Sequence, residues 1–307
     1  MSKPRSKLSK TLRFMRYPFE ALGLILLLLF FACLTPIAAS NLGGYLGRKI
    51  GPTLGINRRA LKNMGEALPD LDQKTITSSS MGMWENLGRV VGEMPHIRHI
   101  ARWARTNQIE IINRNYLTQF HREGQPVIYF SGHFANWELF PLILRELGAP
   151  TAAVYRAANN PIVDFLFRHL RRLKSDDTVP KGPSGARKIV QLMKNGKSLG
   201  MLVDQKMNDG ISIPFFGRDA MTSSALATLA LKYNCPAIPI RLERIRGCSF
   251  RATILPPLAP PETGDRKKDI ELMMTMVNEI FEDWIIERPD QWFWLHNRWP
   301  HHQNHVH

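Results

Sequence analysis

The chain has 307 residues, enough for one large domain or two small ones with a sizeable core, and its apolar fraction of 44% is that of an ordinary globular protein. Its charge is not ordinary: 41 Lys+Arg against 26 Asp+Glu give +15 with histidine neutral, which favours nucleic acid, phosphorylated lipid, anionic membrane or an acidic protein without choosing among them. Three cysteines, Cys33, Cys235 and Cys248, with no C-x-x-C, suggest neither a disulfide framework nor a cysteine zinc site, and a reducing cytosol is the easier reading.

The amino terminus carries Lys3, Arg5, Lys7, Lys10, Arg13 and Arg16 before its first acid, Glu20, and the run from Ala21 to Ala39 is uncharged. A helix needs about 20 apolar residues to cross the hydrocarbon core, so the run is just long enough for a membrane anchor, with Thr35 and Pro36 placed to shorten or kink it. Length and flanks favour the anchor over a cleaved signal peptide, whose pattern Ala38-Ala39-Ser40 imitates, and over a buried helix. Arg48, Lys49, Arg58, Arg59 and Lys62 downstream nearly balance the upstream cations, so the positive-inside rule leaves topology open.

From Asn57 to about Gln119 the apolar spacing predicts helices broken at Pro69 and Pro95. PVIYFSGH then reads as a short buried strand ending in a Gly turn, and WELFPLILRELG as the helix after it, stopped by Gly148. AAVYR is a second strand, followed by a helix from Asn160 that carries Arg168, Arg171 and Arg172. SLGMLVDQ is a third strand, ending in Asp204 and Gln205. SSALATLALKY is a helix capped by Ser223 or Ser224, PAIPIRLERI and SFRATILPPL are two more strands, and a helix near Asp269–Glu287 precedes RPDQWFWLHNRWP. Strands alternating with helices predict an α/β domain with helices covering a central sheet.

The stretch FSGHFANWELF places His133 after a strand and Glu138 at the start of a helix. On a continuous helix, residues so spaced point roughly 140° apart. They meet only if His133 lies in the turn and Glu138 in the first helical turn, with Gly132 easing the exit and Asn136 as cap. The helix amino terminus favours ionised Glu138, which can take a hydrogen bond from one imidazole nitrogen and raise the basicity of the other. That nitrogen can remove a proton from a substrate hydroxyl as the oxygen attacks a carbonyl. A zinc site is disfavoured, because no nearby His or Cys completes a third ligand at usual spacing.

GHFANWE followed by VYRAANNP, LVDQ, IPFFG and PDQWFWLHNRW, in that order, resembles the bacterial lipid A biosynthesis acyltransferases, the late lauroyl/myristoyl family, over nearly the whole chain. The resemblance implies transfer of a fatty acyl chain from acyl carrier protein to a hydroxyl of a phosphorylated glucosamine disaccharide precursor. It also implies a glycerolipid-acyltransferase-like fold on an inner-membrane anchor, residues 1–40, with residues 41–307 as the acyltransferase domain on the cytoplasmic side. His133 would be the general base and Glu138 its partner, where the wider superfamily usually has aspartate. Arg171 and Asp204 would matter too. No cofactor is expected.

Arg156 ends the VYR strand, where its guanidinium could reach the edge that carries His133 and recognise phosphate or a carbonyl; the bland alternative is a surface arginine. Arg168, Arg171 and Arg172 offer a phosphate-binding residue, Arg171 above the others, or a solvated basic face. Asp204 ends an apolar strand, where a carboxylate is costly unless partnered; it holds an arginine or a backbone turn, or takes part in catalysis. Phe215 and Phe216 wall an acyl channel or pack in the core, and Trp292, Trp294 and Trp299 pack in the core or meet the membrane interface. NGKS, at 195–198, lacks the first glycine of a phosphate loop, and the terminal HHQNHVH reads as a tail. No nucleic-acid motif appears, so a basic scaffold is the weaker rival, and an acyltransferase for a glycerophospholipid or another glycolipid the nearer one.

Overall fold

The computed structural model describes residues 7–121, 125–155, 158–171, 178–180 and 183–299. The amino-terminal part is helical: α1 (Lys7–Ala32), α2 (Pro36–Ile50), α3 (Asn57–Ala67), α4 (Gln73–Glu93) and α5 (Ile97–Arg102). Strand β1 (Ile109–Ile112) and helix α6 (Asn115–Phe120) lead into β2 (Ile128–Ser131), α7 (Phe140–Glu146), β3 (Ala152–Tyr155), α8 (Pro161–Arg171) and β4 (Thr178–Pro180). Then come α9 (Pro183–Lys194), β5 (Leu199–Leu202), β6 (Lys206–Phe215), β7 (Arg218–Thr222), α10 (Ala225–Tyr233), β8 (Ala237–Arg246), β9 (Ser249–Ile254) and α11 (Arg266–Glu287).

Seven strands form one sheet in the order β1-β9-β8-β2-β5-β3-β4, and β6 and β7 form a separate antiparallel hairpin. Every pairing in the large sheet is parallel except β8 with β9. A parallel sheet is covered on both faces, so its central strands are apolar throughout; all of β2 is buried. Its side chains alternate: Ile128 and Phe130 join the core beneath α10 and α11, while Tyr129 joins Leu117, Phe140 and Leu144 of α6 and α7 on the other face.

The expected membrane span is corrected by the structure: among the described residues no helix is long and apolar enough to cross a membrane. The apolar run is divided. Helix α1 ends at Ala32, and Thr35 caps α2, accepting a bond from Ala38 N at 3.2 Å, with Pro36 in the first helical turn. The uncharged part of α1, Ala21 to Ala32, is therefore about 18 Å long, short of a hydrocarbon core of about 30 Å. Helix α1 lies against the domain instead, burying Ala21, Leu28 and Phe31 and leaving Phe19, Leu22, Leu26, Leu29 and Phe30 exposed.

Helices α2 and α4 cross backbone to backbone. A Cβ on Gly43 would lie 2.3 Å from Gly88 O, and one on Gly92 2.3 Å from Ala39 O. Only glycine permits that approach, which brings Ser40 of α2 to Glu93 of α4 at 2.6 Å.

Candidate active site

Strands β2 and β5 are parallel neighbours, so their carboxyl ends lie side by side, at the edge where open α/β sheets bind ligands. Gly132 and His133 follow β2, and Val203 and Asp204 follow β5. Gly132 is required by space: a Cβ there would lie 2.7 Å from the Phe134 ring and 3.2 Å from Asp204 Cγ. The left-handed residue of the turn is Ala135, with φ of 46°. It is held from both sides, its N–H donating to Gln291 O at 3.0 Å and its carbonyl accepting from Asn86 Nδ2 at 2.9 Å. Asn136 caps the next turn as expected, its Oδ1 accepting from Glu138 N at 3.2 Å. That turn, Trp137–Leu139, is a 3-10 turn leading into α7.

Asp204, 2% exposed, accepts three hydrogen bonds. His133 N donates to Oδ2 at 2.9 Å, Trp292 Nε1 donates to Oδ2 at 2.7 Å, and the His133 ring meets Oδ1 through Nδ1 at 2.7 Å. Burial alone would raise the Asp204 carboxyl, but the charge of His133 and the bonds from His133 and Trp292 outweigh it and hold it at about 2, below its ordinary 3.8. Asp204 is thus ionised at neutral pH and can only accept, so Nδ1 carries the ring hydrogen. Nε2 lies 3.2 Å from the Gln205 side-chain amide, which donates to it when the ring is neutral. Trp137 and Phe293 flank the ring, with centroids 5.4 and 6.3 Å away.

The carboxylate bonded to the imidazole Nδ1 is Asp204, a partner that the reading of FSGHFANWELF alone did not include. The parallel pairing of β2 with β5 brings the Asp204 carboxylate against both the backbone and the ring of His133. Asp204 also holds a backbone turn, one of the alternatives its buried charge had raised. Glu138 is half-buried in the following 3-10 turn.

The arginines are less concentrated. Strand β3 runs parallel beside β5 and ends at Tyr155; Arg156 follows it, outside the described residues, as does Arg172. Arg168 pairs with Asp164 one turn earlier on α8 at 3.1 Å, as a solvated helix face would. Arg171 ends α8, and its side chain lies outside the described set. Phe215 packs in the core against Trp292 and Trp299, with half-buried Phe216 against its ring, and Trp292, Trp294 and Trp299 are all buried. Sequence reasoning missed Trp292 as a donor to Asp204, Gln205 as a partner of Nε2, and Asn86 and Gln291 as clamps on the turn. For Trp292 a signal existed, since a buried indole N–H needs an acceptor.

An imidazole with its Nδ1–H anchored to a buried carboxylate and its Nε2 available as a base, at the carboxyl edge of a parallel sheet, is the equipment of an enzyme that activates a hydroxyl. The chain belongs to the bacterial lipid A biosynthesis acyltransferase family, whose model matches residues 5–301, and it is a transferase of that kind. It is 26% identical over 211 residues to the lipid A biosynthesis lauroyltransferase of Escherichia coli K12, a match covering 66% of this chain and 63% of that protein. It is 24% identical to the palmitoleoyltransferase of the same organism, covering 96% and 95%. Among solved structures, the 1-acyl-sn-glycerophosphate acyltransferase PlsC of Thermotoga maritima matches 82% of this chain and 98% of its own at 14% identity, with a TM-score of 0.37, too low to transfer positions between them.

Proposed function

We propose that this chain transfers a fatty acyl group from the thioester of acyl carrier protein to a hydroxyl of a phosphorylated lipid A precursor. The bond between His133 Nδ1 and the ionised Asp204 carries the proposal, because it leaves Nε2 as the base. The acceptor hydroxyl takes the place of the Gln205 amide at Nε2 and gives up its proton as its oxygen attacks the thioester carbonyl. The C–O bond forms, the C–S bond breaks, and the imidazolium, stabilised by Asp204, returns the proton to the leaving thiolate. General-base action of this kind contributes roughly two to four decades in rate. Glu138 is assigned, with Asp204, to orienting His133; Arg156, Arg168 and Arg171 are assigned to phosphate or carbonyl recognition.

The basic surface suits both the acidic carrier protein and an anionic glycolipid. In place of a spanning anchor, the exposed apolar residues of α1, together with Ile37, Tyr45 and Ile50 of α2, lie in the plane of the cytoplasmic leaflet of the inner membrane. Residues 41–307 then form the acyltransferase domain.

The deciding experiment is acyl transfer from a panel of acyl carrier protein donors to the precursor, comparing wild type with His133→Ala and Glu138→Ala. Product from wild type, lost in His133→Ala with the fold intact, is the expected result. Substantial transfer by His133→Ala would sink the mechanism, and product only on a glycerophospholipid would move the acceptor while keeping the chemistry.

A further inference from the structure

Behind the catalytic turn, α2, α4, the β8–β9 hairpin and the segment after α11 line an open cavity of about 500 Å³, within the range of small-molecule sites. Five guanidiniums line it, Arg48, Arg89, Arg244, Arg246 and Arg288, against two carboxylates, Glu85 and Asp290. Glu85 is shared by Arg48 and Arg89, and Asp290 is taken by Arg288. A third carboxylate, Glu93, fully buried behind the wall, is taken by Arg244. Arg246, exposed at the hairpin, has no side-chain partner among the described residues. The wall thus keeps an excess of two positive charges after every nearby carboxylate is matched.

We propose that this cavity is an anion site for a phosphate or diphosphate group. Arginine presents a fixed fork of donors that fits phosphate oxygens in pairs, and Ser79 of the wall adds a hydroxyl. Its mouth adjoins α2, where Tyr45, on the same face as Arg48 and one turn earlier, is exposed, so the phosphate can arrive on a lipid head group as well as free in solution. Asn86 and Gln291 of the same wall hold Ala135, which puts the bound phosphate directly behind the catalytic turn. The site stands on its own charges and does not depend on the acyl-transfer chemistry.

The test uses the full chain in neutral detergent, titrated calorimetrically with inorganic pyrophosphate. In parallel, phosphatidylcholine vesicles with and without phosphatidic acid compete for the same protein. Wild type is expected to bind pyrophosphate saturably, and the double variant Arg48→Gln/Arg246→Gln to bind it at least tenfold more weakly with its Tm retained. Arg251→Gln, which removes a part-exposed arginine of the same hairpin that pairs with Glu110 and does not line the cavity, is the control for diffuse charge and should bind as wild type. Displacement of pyrophosphate by phosphatidic acid assigns the site to a lipid head group; saturable pyrophosphate binding that the vesicles do not disturb assigns it to a soluble phosphate. Equal weakening in Arg251→Gln, no weakening in the double variant, or no saturable binding of either probe overturns the site.

Discussion

Replacing Asp204 by asparagine keeps the shape of the side chain and removes its charge. The carboxylate accepts from three donors, at 2.9, 2.7 and 2.7 Å. An asparagine offers one acceptor oxygen and one NH2, so the amide must face a donor whichever way it turns. With the NH2 at the Oδ2 position it would oppose both His133 N–H and Trp292 Nε1–H; at the Oδ1 position it opposes only the ring. The ring can relieve that single conflict by moving its hydrogen from Nδ1 to Nε2. That movement removes the lone pair that serves as the base, so kcat should fall by roughly two to four decades, while KM, set elsewhere, stays within about threefold. Exchanging charge-assisted bonds for neutral ones should also cost about 2–4 kcal/mol of stability. Both quantities are accessible, from steady-state acyl transfer and from urea unfolding of the same preparations. An Asp204→Asn enzyme with kcat within threefold of wild type would refute the assignment of Asp204 as the residue that fixes the tautomer.

Trp292→Phe removes the indole donor to Asp204 while keeping an aromatic ring in the core; we expect a stability loss of about 1–3 kcal/mol and roughly a tenfold fall in kcat, and an unchanged kcat would show the third bond to be dispensable. Acid unfolding tests the carboxyl directly. Its folded value of about 2 lies below the ordinary 3.8, so its contribution, about 2 kcal/mol, is present above roughly pH 4 and lost as pH falls toward 2. The stability gap between wild type and Asp204→Asn should narrow by that amount across the window; a gap that stays constant would mean that Asp204 titrates normally. Glu93→Gln leaves the Arg244 guanidinium buried without its charge partner and weakens the bond from Asn136, which caps the catalytic turn. About 3–5 kcal/mol should be lost, read as a lower urea midpoint at unchanged slope, and a midpoint equal to that of wild type would contradict the buried pairing.

The strands legible in the sequence are the apolar ones. The runs at β2, β3, β5, β8 and β9 are rich in apolar residues and bounded by turn residues, and the structure has a strand at each. Strands β1, β4 and the β6–β7 hairpin were not foreseen, for identifiable reasons. Ile109–Ile112 sits in a region of helical spacing, and Thr178–Pro180 is a three-residue edge strand. Much of β6 is exposed and carries no apolar run. The divided amino terminus was partly legible, since Thr35 and Pro36 are a helix start in the middle of an apolar run. Counting apolar residues measures length, whereas capping decides whether that length belongs to one helix.

The site separates two kinds of sequence inference. Pairing His133 with Glu138 rests on the strand–turn–helix reading of one stretch and on the GHFANWE motif; Asp204 escapes such a local reading, because neighbouring strands of a parallel sheet are joined by long crossovers and the residues at their ends are distant in sequence. The useful signal at Asp204 was energetic. A carboxylate at the end of an apolar strand loses hydration worth several kcal/mol unless donors replace it, and three donors do. The same reasoning applies to Trp292, whose buried N–H required an acceptor, and to Glu93, which is fully buried and collects Arg244, Ser40 and Asn136. In each case the cost of burying the polar group states that a partner exists, and only the topology says which one. His133 lay where both conditions could be met: a strand end with a turn behind it, beside a second strand end whose charge had to be satisfied.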